Sequence, residues 1–160
     1  ITEPRTGSVL INGILTSNIQ VNSLRRHIAT CLKQDHLIYG SVLDNLTMGR
    51  DISNNEIITL CEQLGLSPLI LNLQDGYETI LNPEAGALNR SMVTLILIAR
   101  ALLSKPLLLL WDTQYQHLTE IQQNKVFDYI KNHCACTFIL SATADQLKDK
   151  VSKVFLLTDQ

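Results

Sequence analysis

Asp112 follows the uninterrupted apolar run Leu107-Leu108-Leu109-Leu110-Trp111, the composition of a strand covered on both faces of a parallel sheet. A carboxylate at the end of such a strand opens onto the crevice where α/β sheets bind ligands. Gln34 holds a comparable place, just after the apolar segment Ile28–Leu32. Asn89 and Ser91 open an apolar stretch that runs to Leu103. If that stretch is a helix, its start offers free backbone amides and the positive end of a dipole, which suits an anion. Asn89 in that position is first of all an N-cap. The residue after Asp112 is Thr113, whose hydroxyl has no accessible ionised form near neutral pH and cannot serve as a general base.

These groups need a scaffold, and the hydrophobic pattern describes one. Glu3-Pro4-Arg5-Thr6-Gly7 reads as a turn and Ser8–Ile11 as an apolar β segment, ended by the turn dipeptide Asn12-Gly13. Asn22-Ser23 can cap a short helix through Arg25 and Arg26, and Ile28–Leu32 reads as a buried strand. Ser53-Asn54-Asn55-Glu56 spells a capping box. Behind it Ile57, Leu60, Cys61 and Leu64 share one helical face, and Gly65 ends the helix. Ser67–Leu73 makes another short helix or turn, stopped by Gln74-Asp75-Gly76.

The stretch from Asn89 to Leu103 is apolar nearly all round, as in a buried helix, and Pro106 breaks the chain before the leucine run. A helix over Glu120–Lys131 is expected next, with Ile121, Val126, Phe127 and Ile130 as its inner face. Thr137–Leu140 and Val154–Leu157 read as the last strands. The sum is an α/β sheet with a helical insertion between Gln34 and the leucine strand, roughly residues 41–104.

With 46% hydrophobic and 18% charged residues, the 160-residue chain suits one domain with a real core. A net charge of −2 gives no electrostatic footprint for nucleic acid, which is excluded as a partner. Cys31, Cys61, Cys134 and Cys136 lack zinc-ligand spacing and read as free, mostly buried thiols in a reducing compartment. His27, His36, His117 and His133 read as surface or turn residues. The first residues, ITEPRTGS, are polar and turn-rich, unlike a signal peptide. No apolar run approaches the roughly 20 residues of a membrane-spanning helix.

Taken in order, GSVLINGI, SLRRHIATCLKQ, AGALNRSM with IARALLSKPLLLLWDT, and TFILSATADQ resemble the nucleotide-binding domain of ATP-binding cassette (ABC) transporters, most closely the exporter type. The resemblance implies a RecA-like P-loop NTPase sheet with an inserted α-helical signature subdomain. It implies ATP and Mg²⁺ as cofactors, and transmembrane domains and a second nucleotide-binding domain as partners, at the cytoplasmic face of an inner or plasma membrane. By that resemblance Gln34 is the Q-loop glutamine that approaches Mg²⁺ and the attacking water, and the segment after it touches the coupling helices of the membrane domains. Asp112 is the Walker B aspartate that holds Mg²⁺ through water. Asn89 and Ser91 stand in the signature segment, which binds the γ-phosphate across a dimer interface.

The chain also departs from the family pattern. Leu88-Asn89-Arg90-Ser91-Met92 replaces LSGGQ, with only Leu88 matching. Thr113 stands for the catalytic glutamate, Thr119 for the D-loop aspartate and Thr143 for the switch histidine. The pattern G-x-x-x-x-G-K-[ST] does not occur, and none of the 7 glycines precedes a lysine. A P-loop strand would lie beside the Thr137 strand in the family's sheet. The expectation over residues 1–160 is therefore a partial cassette domain with an incomplete sheet, shaped for coupling and impaired in hydrolysis. The alternatives are an active cassette with its P-loop upstream, or a structural remnant without a transport role.

Overall fold

The computed structural model describes residues 6–83, 89–112, 115–140 and 151–153. Asn12 and Gly13 both take positive φ, 50° and 79°, as the tight turn of a two-residue hairpin requires. The turn pairs β1 (Leu10–Ile11) antiparallel with β2 (Ile14–Leu15), so the expected β segment is one arm of a hairpin. Helix α1 (Val21–His27) starts at Val21 on Gln20, without a side-chain cap; Asn22 and Ser23 lie inside its first turn. The chain passes directly from α1 into β3 (Ile28–Cys31).

Between β3 and the leucine strand the chain is mainly helical. A short ribbon, β4 (Gly40–Ser41), leads into α2 (Val42–Thr47), followed by α3 (Asn54–Leu64) and α4 (Ser67–Leu71). The ribbon's second strand is β5 (Ile80–Leu81), antiparallel to β4. Helix α5 (Arg90–Leu102) is then buried along nearly its whole length, with Leu95, Ile96 and Ala99 fully enclosed. A full capping box lies at α2: Ser41 Oγ accepts from the Asp44 amide at 2.9 Å, and Asp44 Oδ2 accepts from the Ser41 amide at 2.8 Å. At α3 only half of the expected box forms. Ser53 accepts from the Glu56 amide at 3.4 Å, while the Glu56 carboxylate turns to Lys105, 2.7 Å away. A full cation across the groove outcompetes a single backbone amide for that carboxylate.

The core sheet has the order β3-β6-β7, all parallel, with β6 (Leu108–Asp112) in the middle and β7 (Cys136–Leu140) beside it. Strand β6 is buried at Leu109 and Trp111 and half-buried at Leu108 and Leu110, so both faces are covered but unequally. Helix α6 (Glu120–His133) packs Val126 and Ile130 inward, and Phe127 sits 5.4 Å from the Trp111 ring centroid. Ile121 does not join them and is 72% exposed. At 100° per residue it stands about 180° around the helix from Ile130. The four histidines are exposed, as expected. Cys31 and Cys61 are buried, whereas Cys136 is exposed. The expected Val154–Leu157 strand lies outside the described residues.

One polar cluster ties the helical insertion together. Asn45 is fully buried and every polar position of its amide is used. Its Oδ1 accepts from the Ile38 amide (2.8 Å) and Arg100 Nη2 (2.9 Å), and its Nδ2 donates to the carbonyls of Ile38 (3.0 Å) and Ser41 (2.9 Å). Arg100 also donates from Nε to the Asn45 carbonyl at 2.8 Å and from Nη1 to the His36 carbonyl at 3.0 Å. Arg50 completes the set. Its Nη2 donates to the carbonyls of Leu46 and Arg100, at 3.0 and 2.9 Å, and its Nε to that of Thr47 at 2.8 Å. A guanidinium thereby satisfies last-turn carbonyls of both α2 and α5, where a cation is favoured.

Two stability measurements follow. Truncating Asn45 strands buried donors and acceptors at once, so Asn45→Ala should destabilise by about 3 kcal/mol in chemical denaturation. With Arg100→Ala it should show a coupling energy above about 1 kcal/mol in a double-mutant cycle; additive effects would contradict the shared cluster. Hydrogen bonds from the amide and hydroxyl of Ser41 hold the Asp44 carboxyl below its ordinary 3.8. A group depressed on folding stabilises above its unfolded value and loses that contribution as pH falls through the folded one. Asp44→Asn should therefore lower the melting temperature at pH 7, with the gap closing as the pH is taken well below 3.8.

Candidate functional site

The strand register brings the expected ligand groups to one edge of the sheet. Cys31, the last residue of β3, pairs with Trp111, and Asp112 pairs with Leu140, the last residue of β7. All three parallel strands therefore end together. Gln34 leaves this edge in an exposed turn closed by the Asp35 amide on the Leu32 carbonyl (3.0 Å) and by Asp35 Oδ2 on the Leu32 amide (2.7 Å). Asp112 is half-buried at the same edge. Thr113 and Thr143, the expected replacements for the catalytic glutamate and switch histidine, lie outside the described residues.

The Cys31 thiol lies buried at the end of β3. Burial, reinforced by Asp35 and opposed by Arg100, pushes it up to about 12. A thiol held protonated in this way is a poor nucleophile. Among the described residues no cluster of His, Cys, Asp and Glu could hold a metal on its own. One carboxylate and one amide oxygen at a strand edge do fit Mg²⁺, which takes few protein ligands and fills the remainder with phosphates and water. Arg100 is half-buried nearby; burial lowers its pKa, with Asp35 and Cys31 pulling the other way.

Asn89 and Ser91 occupy a different place, the N-terminus of α5. Asn89 Oδ1 accepts from the amides of Ser91 (2.9 Å) and Met92 (3.3 Å), which makes it the helix cap. The Ser91 hydroxyl donates to Gln122 Oε1 of α6 at 3.3 Å. Thr119, expected at the D-loop aspartate, caps α6 in a capping box with Gln122. Among the described residues no hydrogen bond links Asn89 or Ser91 to Gln34 or Asp112. Asp112 thus ends a strand, with Gln34 in the turn after β3, while Asn89 and Ser91 stand at a helix start.

Sequence reasoning recognised the Gln34 segment and the Ile98–Leu102 stretch but not that Asn45, Arg50 and Arg100 join them. A signal was present: Arg100 is the one charged residue between Ser91 and Leu103, and a guanidinium in a buried helix must find acceptors for its donors.

This architecture has known counterparts. A family model described as ABC transporter matches residues 1–115. The β-(1→2)glucan export ATP-binding/permease protein NdvA of Mesorhizobium japonicum is 31% identical over 160 residues, 98% of this chain and 27% of that protein. The colicin V secretion/processing ATP-binding protein CvaB of Escherichia coli is 33% identical over 131 residues, 81% of this chain and 19% of that protein. The leptomycin B resistance protein pmd1 of Schizosaccharomyces pombe is 32% identical over 108 residues, 66% of this chain and 8% of that protein. A solved bacterial Atm1-family ABC exporter with ATP bound matches the fold with a TM-score of 0.81 at 21% identity, covering 91% of this chain and 26% of that one. The chain spans 27% or less of these three relatives' own lengths. No helix among the described residues is long and apolar enough to cross a membrane. The parallel sheet and its helical insertion match the fold of part of a solved ABC exporter, and the chain belongs to the ABC transporter family.

Proposed function

We propose that the chain is part of an exporter nucleotide-binding domain that couples transmembrane domains to a second cassette, with ATP hydrolysis impaired in this chain. The observation that carries the reading is Asp112 at the end of β6 followed at once by Thr113. The strand-end carboxylate for Mg²⁺ is kept, and the group that would activate water is replaced by one that cannot accept a proton at neutral pH. Thr143, in place of the switch histidine, offers only a shorter hydroxyl contact. At the helix start, two of the amides that would face a γ-phosphate are already taken by Asn89.

Bound Mg²⁺ and ATP would be held at Gln34 and Asp112, the metal neutralising phosphate charge. Asn89 and Ser91 would face the nucleotide of the second cassette, homologous or distinct. The coupling surface is the segment after Gln34. Arg100 and Asn45 hold its backbone at His36 and Ile38, while the side chains of Ile38 and Tyr39 remain 41% and 74% exposed. A fixed backbone that presents apolar side chains to solvent suits docking against another chain. Residues 41–104 would form the helical signature subdomain, with the domain at the cytoplasmic face of the membrane. A hydrolysing cassette with its P-loop upstream is the second reading, supported by the retained Asp112.

Steady-state phosphate release from Mg²⁺-ATP by the native full-length protein tests the choice. Turnover attributable to this cassette should stay far below the ~1 s⁻¹ floor of ordinary enzymes and be unchanged by Asp112→Asn. Thr113→Glu alone should raise it by less than about tenfold, because the switch and signature positions remain altered. Robust turnover that collapses on Asp112→Asn would establish the hydrolysing reading instead.

A further inference from the structure

One oxygen of Gln122 serves two helices. Its Oε1 accepts from the Thr119 amide at 3.0 Å, closing the capping box of α6. The same atom accepts from the Ser91 hydroxyl, at the start of α5, at 3.3 Å. To reach its own cap, a glutamine at this position folds back over the first turn of its helix. That brings the carboxamide oxygen beside the helix start, within reach of Ser91. The oxygen has two lone pairs, so neither bond displaces the other.

Both ends of this link are themselves held. On α5 the Asn89 carboxamide fixes the amides of Ser91 and Met92, and the Met92 side chain is buried. On α6 the Thr119 hydroxyl fixes the Gln122 amide at 3.3 Å. Leu118, just ahead, is buried and its carbonyl accepts from Gln123 Nε2 at 3.0 Å. The single turn Tyr115–His117 before α6 packs against α5. Ser91 and Gln122 are both half-buried. Little further ordering is needed to form the bond, and partial burial strengthens it against water.

The link is also particular to this sequence. Ser91 stands at a glycine of the LSGGQ pattern, and a glycine has no side chain to donate. The departure that alters the helix start thus adds a tie between α5 and α6. We propose that Gln122 is a positioning residue: through Ser91 and Thr119 it makes the starts of α5 and α6 respond together. A contact made at Asn89 or Ser91 is then felt at the cap of α6. The inference rests on the reading of these helix starts as the face turned toward the second cassette, and adds how that face is held.

Hydrogen exchange at single amides of the native full-length protein tests the link. Ser91→Ala changes only α5, yet it should speed exchange of the Thr119 and Gln122 amides in α6 by at least about threefold. Gln122→Met keeps the side chain's length without its oxygen and should speed the Ser91 and Met92 amides by a similar factor. Gln122→Glu restores an acceptor for both bonds and should bring both pairs within about twofold of the wild-type rates. Packing alone would leave the Met and Glu variants alike, and that result would overturn the proposal. Mg²⁺-ATP should alter exchange of both pairs in the wild type, and of the Ser91 and Met92 amides alone in Gln122→Met. If nucleotide alters neither pair while Ser91→Ala still reaches α6, the link stands and the reading of this face falls. If the effects of Ser91→Ala stop within α5, the link falls whatever nucleotide does.

Discussion

A buried amide and a buried guanidinium must each have their polar atoms bonded, and in this chain they meet that demand through each other. Asn45 is wholly enclosed and Arg100 half-enclosed within the helical insertion. Leaving such groups unpaired costs about 1–3 kcal/mol per neutral group and more for a charge. The bonds that avoid this penalty run across 55 residues of sequence, from α5 to α2 and the segment ahead of it. Arg50 extends the set to the carbonyl ends of both helices. The constraint is therefore geometric: α5, α2 and the backbone from His36 to Ser41 can only be placed relative to one another in a way that closes this network.

That constraint joins the two surfaces on which the functional reading depends. The segment after Gln34 leaves the strand edge that carries Asp112, and its backbone is gripped by Arg100 near the end of α5. The opposite end of α5 carries the Asn89 cap and Ser91. A helix of 13 residues bonded at one end to the Gln34 segment acts as a rigid link between a strand edge and a helix start. None of the bonds made by the side chains of Arg100 and Asn45 involves Gln34, Asp112, Asn89 or Ser91.

Much of this was legible in the residues. Apolar content placed α5 and β6 to within a residue or two, since a continuous apolar run has nowhere to go except the interior. Asp112 was placed at a strand end by the same run. What escaped were choices settled across space. Glu56 was expected to close its own capping box, but Lys105, 49 positions away, is the stronger partner. Ile121 was assigned to the inner face of α6 on composition, although its angle around the helix excludes it. The two-residue strands β4 and β5 leave almost no periodic signal, because their pairing is set by the cap of α2 that follows. The Asn45–Arg100 cluster joins residues whose separate identities were visible but whose meeting is a property of the fold.

Native-state hydrogen exchange on the full chain, read at single amides, measures this dependence most directly. The amides of Ile38 and α2 and those in the last turns of α5 should open with one common free energy, the same with and without Mg²⁺-ATP, because a single bonded cluster holds them. Opening of the Ile38 segment at a much lower free energy than α5, or protection of α5 that arises only when nucleotide is added, would contradict the account.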